Sequence, residues 1–226
     1  MAKVIALAVV LLLGSANMSA QSVRRDGLPK FVGREVTITD PGTQDPDGFY
    51  PKGPATVCVE GPPQRQCYTA PQEFGNGAAV SVVQVRNDMP ALFFSADSGG
   101  VSGWSIHFAL LRPGMRNDLE DLLNVSASNQ SRYAFWKEAS ISDAQIFGTA
   151  DFVWGPDEAH YSDHRYIISA YVLRRQSLIG DTRYFLEDQY MTVRKYNYEK
   201  DDILGAEMQE ILARLKRVKD EQARSN

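Results

Sequence analysis

The densest group of side chains that could do chemistry occupies eight consecutive residues, 157–164, with the sequence Asp-Glu-Ala-His-Tyr-Ser-Asp-His. It contains two imidazoles and three carboxylates, which are ligands that zinc and other transition metals accept. Histidines four positions apart can lie on the same side of a helix or of an extended strand. The pattern favours a solvated turn that leads into a strand beginning at His164, and the alternative is a metal site formed by His160, His164, Asp157 and Asp163.

The group does not complete the motif of zinc proteases. In His-Glu-x-x-His, a glutamate directly follows the first histidine and acts as the general base, whereas Tyr161 follows His160 here. Glu158 precedes both histidines, so it could add a ligand without restoring the motif. A metal-binding protein or metal-dependent hydrolase that uses zinc or another transition metal is therefore an alternative function.

A serine motif, Ala-Asp-Ser-Gly-Gly at residues 96–100, is similar to the sequence around the nucleophile of trypsin-like proteases. In those enzymes the histidine and the aspartate precede the serine, whereas all three histidines of this chain follow Ser98. The serine elbow of α/β-hydrolases needs a helix after the serine, and a strand pattern over residues 104–110 follows here. The motif therefore predicts a Gly/Ser turn, and the sequence assigns no catalytic residue.

Two other polar residues stand inside strand patterns. His107 is expected to be a surface residue or a hydrogen-bonded core residue, although a dyad with the upstream serine stays open. Asp151 interrupts the apolar run 146–154. Because a buried carboxylate needs a partner, an ion pair with Arg165 or Arg194 is predicted.

Aromatic residues are concentrated in the second half of the chain: Trp136, Trp154, Tyr161, Tyr166, Tyr171, Tyr184, Tyr190, Tyr196 and Tyr198. In strands such residues normally pack in the core or against cross-strand neighbours, and alternation places Tyr184 and Tyr190 on one face of a strand. Core packing is the favoured interpretation. Exposed and coplanar rings would instead indicate a glycan-binding module, because an aromatic ring can stack on the apolar face of a sugar.

Strand patterns follow one another from residue 55 to residue 195. The longest cover residues 146–154, 164–173 and 182–195, and shorter candidates cover residues 78–85, 91–96, 104–110, 119–125 and 131–136. About eight to ten strands at this spacing predict a mainly β fold, an antiparallel, jelly-roll-like β-sandwich, with a barrel as the main alternative. Upstream of this region only residues 34–39 alternate like a strand.

The chain ends in an amphipathic helix, predicted for about residues 202–219. Apolar residues recur every three or four positions and form one stripe: Leu204, Met208, Ile211, Leu215 and Val218. Asp201 or Asp202 is suited to cap the start of the helix. The stripe is expected to cover the sandwich, and a homodimer seam through the same helix is the alternative, so monomer and homodimer both stay open.

The first twenty residues predict a secretory signal peptide. Lys3 precedes an apolar run over residues 4–13, and small residues follow at 14–16 and 19–20. A run of about ten residues is too short to cross a bilayer, which takes about 20. We therefore expect a secreted or periplasmic mature protein with no membrane span.

Cys58 and Cys67 are the only cysteines, and both belong to the exported part of the chain. In an oxidising compartment, two cysteines at short spacing predict a disulfide. Gly61, Pro62 and Pro63 lie between them and indicate a turn. The disulfide is therefore expected to join the two strands of a hairpin.

Three stretches of the chain resemble a group of secreted bacterial proteins that have no assigned activity. They are residues 99–104, residues 149–155 together with His164-Arg165-Tyr166, and residues 188–196. The resemblance covers about residues 55–198 and implies export from a bacterial cell. It assigns no activity and no functional residue to this chain.

The predicted organisation is a signal peptide at residues 1–20, an irregular N-terminal arm at 21–54, a β-sandwich domain at 55–198, and a C-terminal helix and tail at 199–226. The net charge is −4 and no basic stripe is present, so nucleic acid is not an expected partner. The predicted function is that of an exported, non-enzymatic binding or structural module whose partner is a protein or a glycan.

Overall fold

The computed structural model describes residues 22–24, 27–41, 53–99, 105–114, 117–128, 131–175 and 182–225. These residues form thirteen strands in three antiparallel sheets, and one C-terminal helix. The predicted mainly β, sandwich-like fold with a C-terminal helix is therefore confirmed. The predicted signal peptide lies outside the described residues. Within the described part, no helix is both long enough and apolar enough to span a bilayer.

The N-terminal sheet contains four strands in sequential order: β1 (Ser22–Arg24), β2 (Val36–Asp40), β3 (Thr56–Val59) and β4 (Gln66–Thr69). Its inward-facing residues alternate along the strands, as the pleat of a half-buried sheet requires, and Ile38 and Val57 are fully buried. The segment 21–54 thus contributes two strands, β1 and β2, where the sequence predicts an irregular arm with one strand pattern.

The central sheet contains β5 (Asn76–Arg86), β6 (Met89–Asp97), β7 (Ser105–Pro113), β8 (Leu119–Asp121) and β9 (Val125–Ser128). Both β8 and β9 pair with β7, whereas the sequence predicts one strand over residues 119–125. The Asp121 carboxylate explains the break, because its Oδ1 accepts the main-chain N–H groups of Leu110 at 3.0 Å and Leu123 at 2.9 Å. A side chain that bonds nearby main chain in this way competes with the strand ladder.

The C-terminal sheet contains β10 (Arg132–Trp136), β11 (Ile146–Val153), β12 (Arg165–Arg175) and β13 (Thr182–Met191), again in sequential order. Ala170 lies opposite Asp188 and Tyr171 opposite Leu186, so one extra residue of β13 forms a bulge. An extra residue reverses the alternation of side chains beyond it.

The bulge overturns one prediction about the tyrosines of β13. Tyr184 packs in the core between the central and C-terminal sheets, whereas Tyr190 packs on the opposite face of the sheet, under the C-terminal helix. The prediction that they share a face is therefore wrong, because strict alternation does not continue through the bulge.

The three sheets stack as layers, with the central sheet in the middle. Leu92 and Phe94 of β6 pack against the N-terminal sheet, and Ala91 and Phe93 pack against the C-terminal sheet. Because both faces of the central sheet are covered, β6 and β7 read as continuous apolar runs instead of alternating ones. The outer face of the C-terminal sheet is covered by the helix.

The helix, α1 (Ile203–Ser225), places its apolar stripe on the C-terminal sheet. Leu204, Ile211 and Leu215 are buried there, whereas Met208 remains 37% exposed. The predicted stripe therefore covers a sheet of its own chain. A homodimer through this helix stays a prediction.

Polar contacts at its start and middle also hold α1 in place. Oδ1 of Asp202 accepts the N–H of Gly205 at 3.0 Å, which is a helix N-cap. Further along, Arg214 donates from Nη2 to Oδ1 of Asp188 on β13 at 2.9 Å, and the Tyr190 hydroxyl donates to Glu207 at 3.0 Å. The helix is thus bonded to the sheet on which it packs.

The predicted disulfide between Cys58 and Cys67 is confirmed. The two residues lie opposite each other in the β3–β4 ladder, with their Cα atoms 4.1 Å apart. The guanidinium of Arg34 donates to the main-chain carbonyls of Gly61 at 3.0 Å and Gln64 at 2.6 Å in the connecting turn. The hairpin is therefore fixed both across its strands and within its turn.

Reduction of this disulfide is expected to lower the free energy of unfolding by about 2–3 kcal/mol, because the bond closes a loop of about ten residues in the unfolded chain. The measurement is urea unfolding of the oxidised protein and of the same protein in excess reductant. The double variant Cys58→Ala/Cys67→Ala is the control and should be insensitive to the reductant. Equal stability of the oxidised and reduced wild type would contradict the prediction.

Candidate functional site

A hydrogen-bonded loop, residues 154–163, connects β11 to the start of β12. The chain turns at Asp157, which has a left-handed φ of 60°, a conformation that aspartate tolerates better than most residues. Glu158 then folds back, so that its Oε2 accepts the N–H of Gly155 at 2.7 Å. Its Oε1 accepts a charged hydrogen bond from Lys195 at 2.6 Å. These bonds fix the shape of the loop.

His164 lies beneath this loop and is fully buried. Its Nδ1 is 2.8 Å from Oε2 of Glu158, and its Nε2 is 3.4 Å from the main-chain oxygen of His160. Hydrogen bonds from Lys195, the N–H of Gly155 and His164 lower the pKa of Glu158 to about 2, so the carboxylate is ionised and can only accept. Nδ1 of His164 therefore carries a proton and points at Glu158.

The four residues predicted to bind a metal are not brought together as ligands. Nδ1 of His164 donates to Glu158, and Oδ1 of Asp163 accepts a hydrogen bond from Asn197 at 3.1 Å. Over the ranges that the structure describes, which include all of residues 157–164, no three His, Cys, Asp or Glu side chains are grouped so that they could hold a metal ion. His160 and His164 are close in sequence because both belong to the loop, where His164 contacts Glu158 and the main chain of His160.

A second loop, residues 196–201, packs beside the first. His164 and Tyr196 exchange main-chain hydrogen bonds of 3.0 and 2.8 Å. The Asn197 side chain donates to the main-chain oxygen of Tyr161 at 3.4 Å, in addition to its bond with Asp163. The N–H of Asn197 in turn donates to Asp201 at 2.7 Å. The two loops therefore form one bonded unit at the end of the C-terminal sheet.

This unit presents four rings, Trp154, His160, Tyr161 and Tyr198, which we name the aromatic cluster. Trp154 is 54% exposed and Tyr161 is 69% exposed. The Tyr161 and Tyr198 rings are nearly parallel, with 25° between their planes and 6.5 Å between their centres. Trp154 lies 6.1 Å from His160 at an angle of 40°. Large aromatic side chains that stay exposed on a bonded loop are typical of binding surfaces.

Polar side chains surround the aromatic cluster. The guanidinium of Arg132 lies 5.7 Å from the centre of the Tyr198 ring, close enough for a cation–π contact. Asp157 and Asp163 are exposed. Two surface grooves, of about 330 and 500 Å³, are lined by other residues. The cluster is therefore a surface with polar edges.

The sequence gives a weak signal for this surface. Trp154 is the last residue of the strand pattern 146–154 and directly precedes Gly155-Pro156, and Tyr161 falls between that pattern and the next. Connecting segments normally lie on the protein surface. The full set of late aromatic residues does not reveal which rings are exposed, because it also contains Tyr166, Tyr184 and Tyr196, which are buried. Tyr161 and Tyr198 lie outside the strand patterns, so the sequence could have indicated these two rings, although Tyr196, which also follows the last pattern, is buried.

The other predicted site residues have structural partners. The Ser98 hydroxyl accepts the N–H of Ser105 at 2.9 Å, which joins the end of β6 to the start of β7. Asp151 accepts hydrogen bonds from the main chain and the hydroxyl of Ser128 on β9. The predicted ion pair of Asp151 with Arg165 or Arg194 is therefore wrong, because the side chain points between two sheets and bonds the neighbouring layer.

His107 is the buried centre of a polar network between the N-terminal and central sheets. Its Nε2 lies 2.7 Å from the hydroxyl of Tyr68, which donates to Asp121 at 3.3 Å. Because that hydroxyl has only one proton, Nε2 of His107 must donate to it, and Nδ1 then accepts from Ser126 at 3.2 Å. Burial raises the pKa of Tyr68 and of Asp121 and lowers the pKa of His107 to about 4.

No family model matches the chain. No curated protein and no solved structure is significantly similar to it.

Acid is expected to destabilise the protein through His107. Its pKa falls from 6.5 in the unfolded chain to about 4 in the buried site, so the unfolded state binds more protons between these two values. Stability is therefore lost as the pH falls through this window, by up to about 3 kcal/mol. Urea unfolding at pH 7 and pH 4.5 measures the loss.

The matched control is His107→Gln, which keeps hydrogen-bonding groups at this position but does not titrate. Its stability should fall less than that of the wild type between pH 7 and pH 4.5. Titrating groups outside the network of His107 contribute equally to both proteins. Parallel pH profiles of the two proteins would show that His107 does not control this loss.

Proposed function

We propose that the protein is an exported, non-enzymatic binding module and that the aromatic cluster binds a glycan. The observation that carries this proposal is the exposure of Trp154 and Tyr161, at 54% and 69%, on a loop fixed by partly buried hydrogen bonds. Burying large rings is favourable in water. A ring that is held rigidly outside the core can still be buried by a partner, and this burial contributes to the binding free energy.

The ring geometry favours a sugar. Sugars have apolar C–H faces that stack on aromatic rings and hydroxyl groups that bond planar polar side chains. Tyr161 and Tyr198 supply nearly parallel rings, and Arg132 lies beside them. A surface that combines ring faces with such polar groups matches both requirements of a sugar.

Rigidity supports binding rather than catalysis at this surface. The charges of Glu158 and Lys195 are already paired, and His164 donates to Glu158. These groups therefore stabilise the loop and are not poised for proton transfer. Because the loop is ordered before binding, less conformational entropy is lost when a ligand binds.

Three observations support export. Residues 1–20 have the pattern of a signal peptide. The Cys58–Cys67 disulfide is typical of oxidising compartments such as the periplasm or the cell exterior. The resemblance to secreted bacterial proteins points to the same destination.

Trp154→Ala and Tyr161→Ala are each expected to weaken glycan binding by about fivefold or more, because each removes an exposed ring face worth about 1 kcal/mol or more. The measurement begins with a pull-down of the mature protein on insoluble peptidoglycan, chitin and β-glucan. It continues with affinity titration of fragments of whichever polymer retains the protein.

Two variants serve as controls. Tyr161→Phe keeps the ring and should bind like the wild type. Met191→Ser removes an exposed apolar side chain of β13, which faces away from α1, and should also leave binding unchanged. Retention of binding in both alanine variants would exclude the aromatic cluster as the site, and no retention on any of a broad panel of polysaccharides would contradict glycan binding itself.

A further inference from the structure

The long edge strand of the central sheet, β5, has a second surface suited to binding. In the part of the chain that the structure describes, β5 pairs on one side only, with β6. Its bulges lie at its two ends, so residues 79–84 form a regular run opposite β6. The outer side of a regular edge strand presents unpaired N–H and C=O groups, which are a template for another strand.

Side chains protect both ends of this edge but not its middle. At one end, the Arg24 guanidinium donates to the main-chain oxygen of Ala78. At the other end, Gln145 donates from its N–H to the oxygen of Val85 at 2.9 Å and from its side chain to the oxygen of Gln84 at 2.7 Å. No hydrogen bond from the described residues outside β6 reaches the main chain of residues 79–83.

The side chains of this middle segment also lack the usual protection of an edge. Natural edge strands carry charged residues or proline, or are very short, whereas residues 77–84 read Gly-Ala-Ala-Val-Ser-Val-Val-Gln without charge or proline. Val82 is 41% exposed. The edge strand β13, by contrast, contains a bulge and the charged residues Arg183, Glu187 and Asp188.

We propose that β5 is the interface with a second copy of this chain, paired antiparallel across a two-fold axis at Ser81. The chemistry of the segment is self-complementary about this residue. In such a pair Val80 lies opposite Val82, Ala79 lies opposite Val83, and Ser81 lies opposite itself. Each copy would therefore cover the other's exposed valine with a β-branched side chain, which is a favourable cross-strand pair.

The ends of the strand fit the same arrangement. Antiparallel pairing directs the Arg86 end of one copy toward the Asn76 end of the other. Arg86 is paired with Asp143 of its own chain at 3.5 Å and Asn76 is uncharged, so the directly opposite residues at the two ends bring no unpaired like charges together. Pairing of this kind joins two central sheets into one continuous sheet and leaves the aromatic cluster uninvolved.

Charge substitutions at Ser81 test the two-fold register, because this residue meets its own copy. The wild type is expected to sediment as a dimer at micromolar concentration. Ser81→Lys and Ser81→Glu should each dimerise at least tenfold more weakly, since each places like charges directly opposite each other. An equimolar mixture of the two variants should dimerise again. The measurement is analytical ultracentrifugation of the full mature chain over a range of concentrations.

Met191→Lys and Met191→Glu are the matched controls. They place the same charges on β13, an edge strand of the C-terminal sheet, and should leave the dimer intact. Circular dichroism checks that each variant is folded. A monomeric wild type throughout the concentration range would overturn the proposal, as would unchanged dimers of both Ser81 variants. If the separate variants were monomeric and the mixture also stayed monomeric, the register at Ser81 would be overturned.

Discussion

The burial of both faces of the central sheet is the constraint on which the rest of the structure depends. Phe94 packs toward the N-terminal sheet and Phe93 toward the C-terminal sheet, so a polar group in the interior of β6 or β7 cannot reach water, whereas the edge strand β5 carries exposed residues. A polar side chain there needs a complete set of partners. The network of His107 with Tyr68, Asp121 and Ser126 meets this requirement, and Asp121 also sets the break between β8 and β9.

The same constraint determines where recognition can occur. Packing uses both faces of the central and C-terminal sheets, because α1 covers the face that the central sheet leaves free. In these two sheets, the surfaces left for binding are the loops at strand ends and the strand edges. The proposed glycan site, the aromatic cluster, is of the first kind, and the proposed dimer contact, residues 79–83, is of the second kind. The aromatic cluster has polar side chains around its rings, and the valines among residues 79–83 of β5 lie between two bulges. Recognition surfaces commonly have such a mainly apolar centre and a polar rim.

Local patterns predicted what local physics controls. The strand patterns, the apolar stripe of α1, its Asp202 cap and the Cys58–Cys67 pair each depend on residues close in sequence. The structure contains them, except that the predicted strand 119–125 is divided into β8 and β9. The order of the three sheets could not be predicted from the sequence. A strand with a continuous apolar sequence indicates that both of its faces are covered, but it does not identify which elements cover them. The bulge of β13 depends on pairing with β12. The loop of residues 154–163 likewise depends on contacts that spacing does not reveal. Spacing alone suggested that His160 and His164 share a metal ion, whereas His164 bonds Glu158.

The ionised state of Glu158 links loop structure to function. A pKa of about 2 keeps this carboxylate charged at neutral and mildly acidic pH, so it continues to accept the bonds from Lys195 and His164 that hold the loop of the aromatic cluster. A shallow surface of this kind binds a single sugar weakly, because it encloses little of the ligand. A dimer through β5 would carry two such surfaces. Binding of the second surface to the same repeating polymer is then intramolecular, so weak individual contacts suffice for firm attachment.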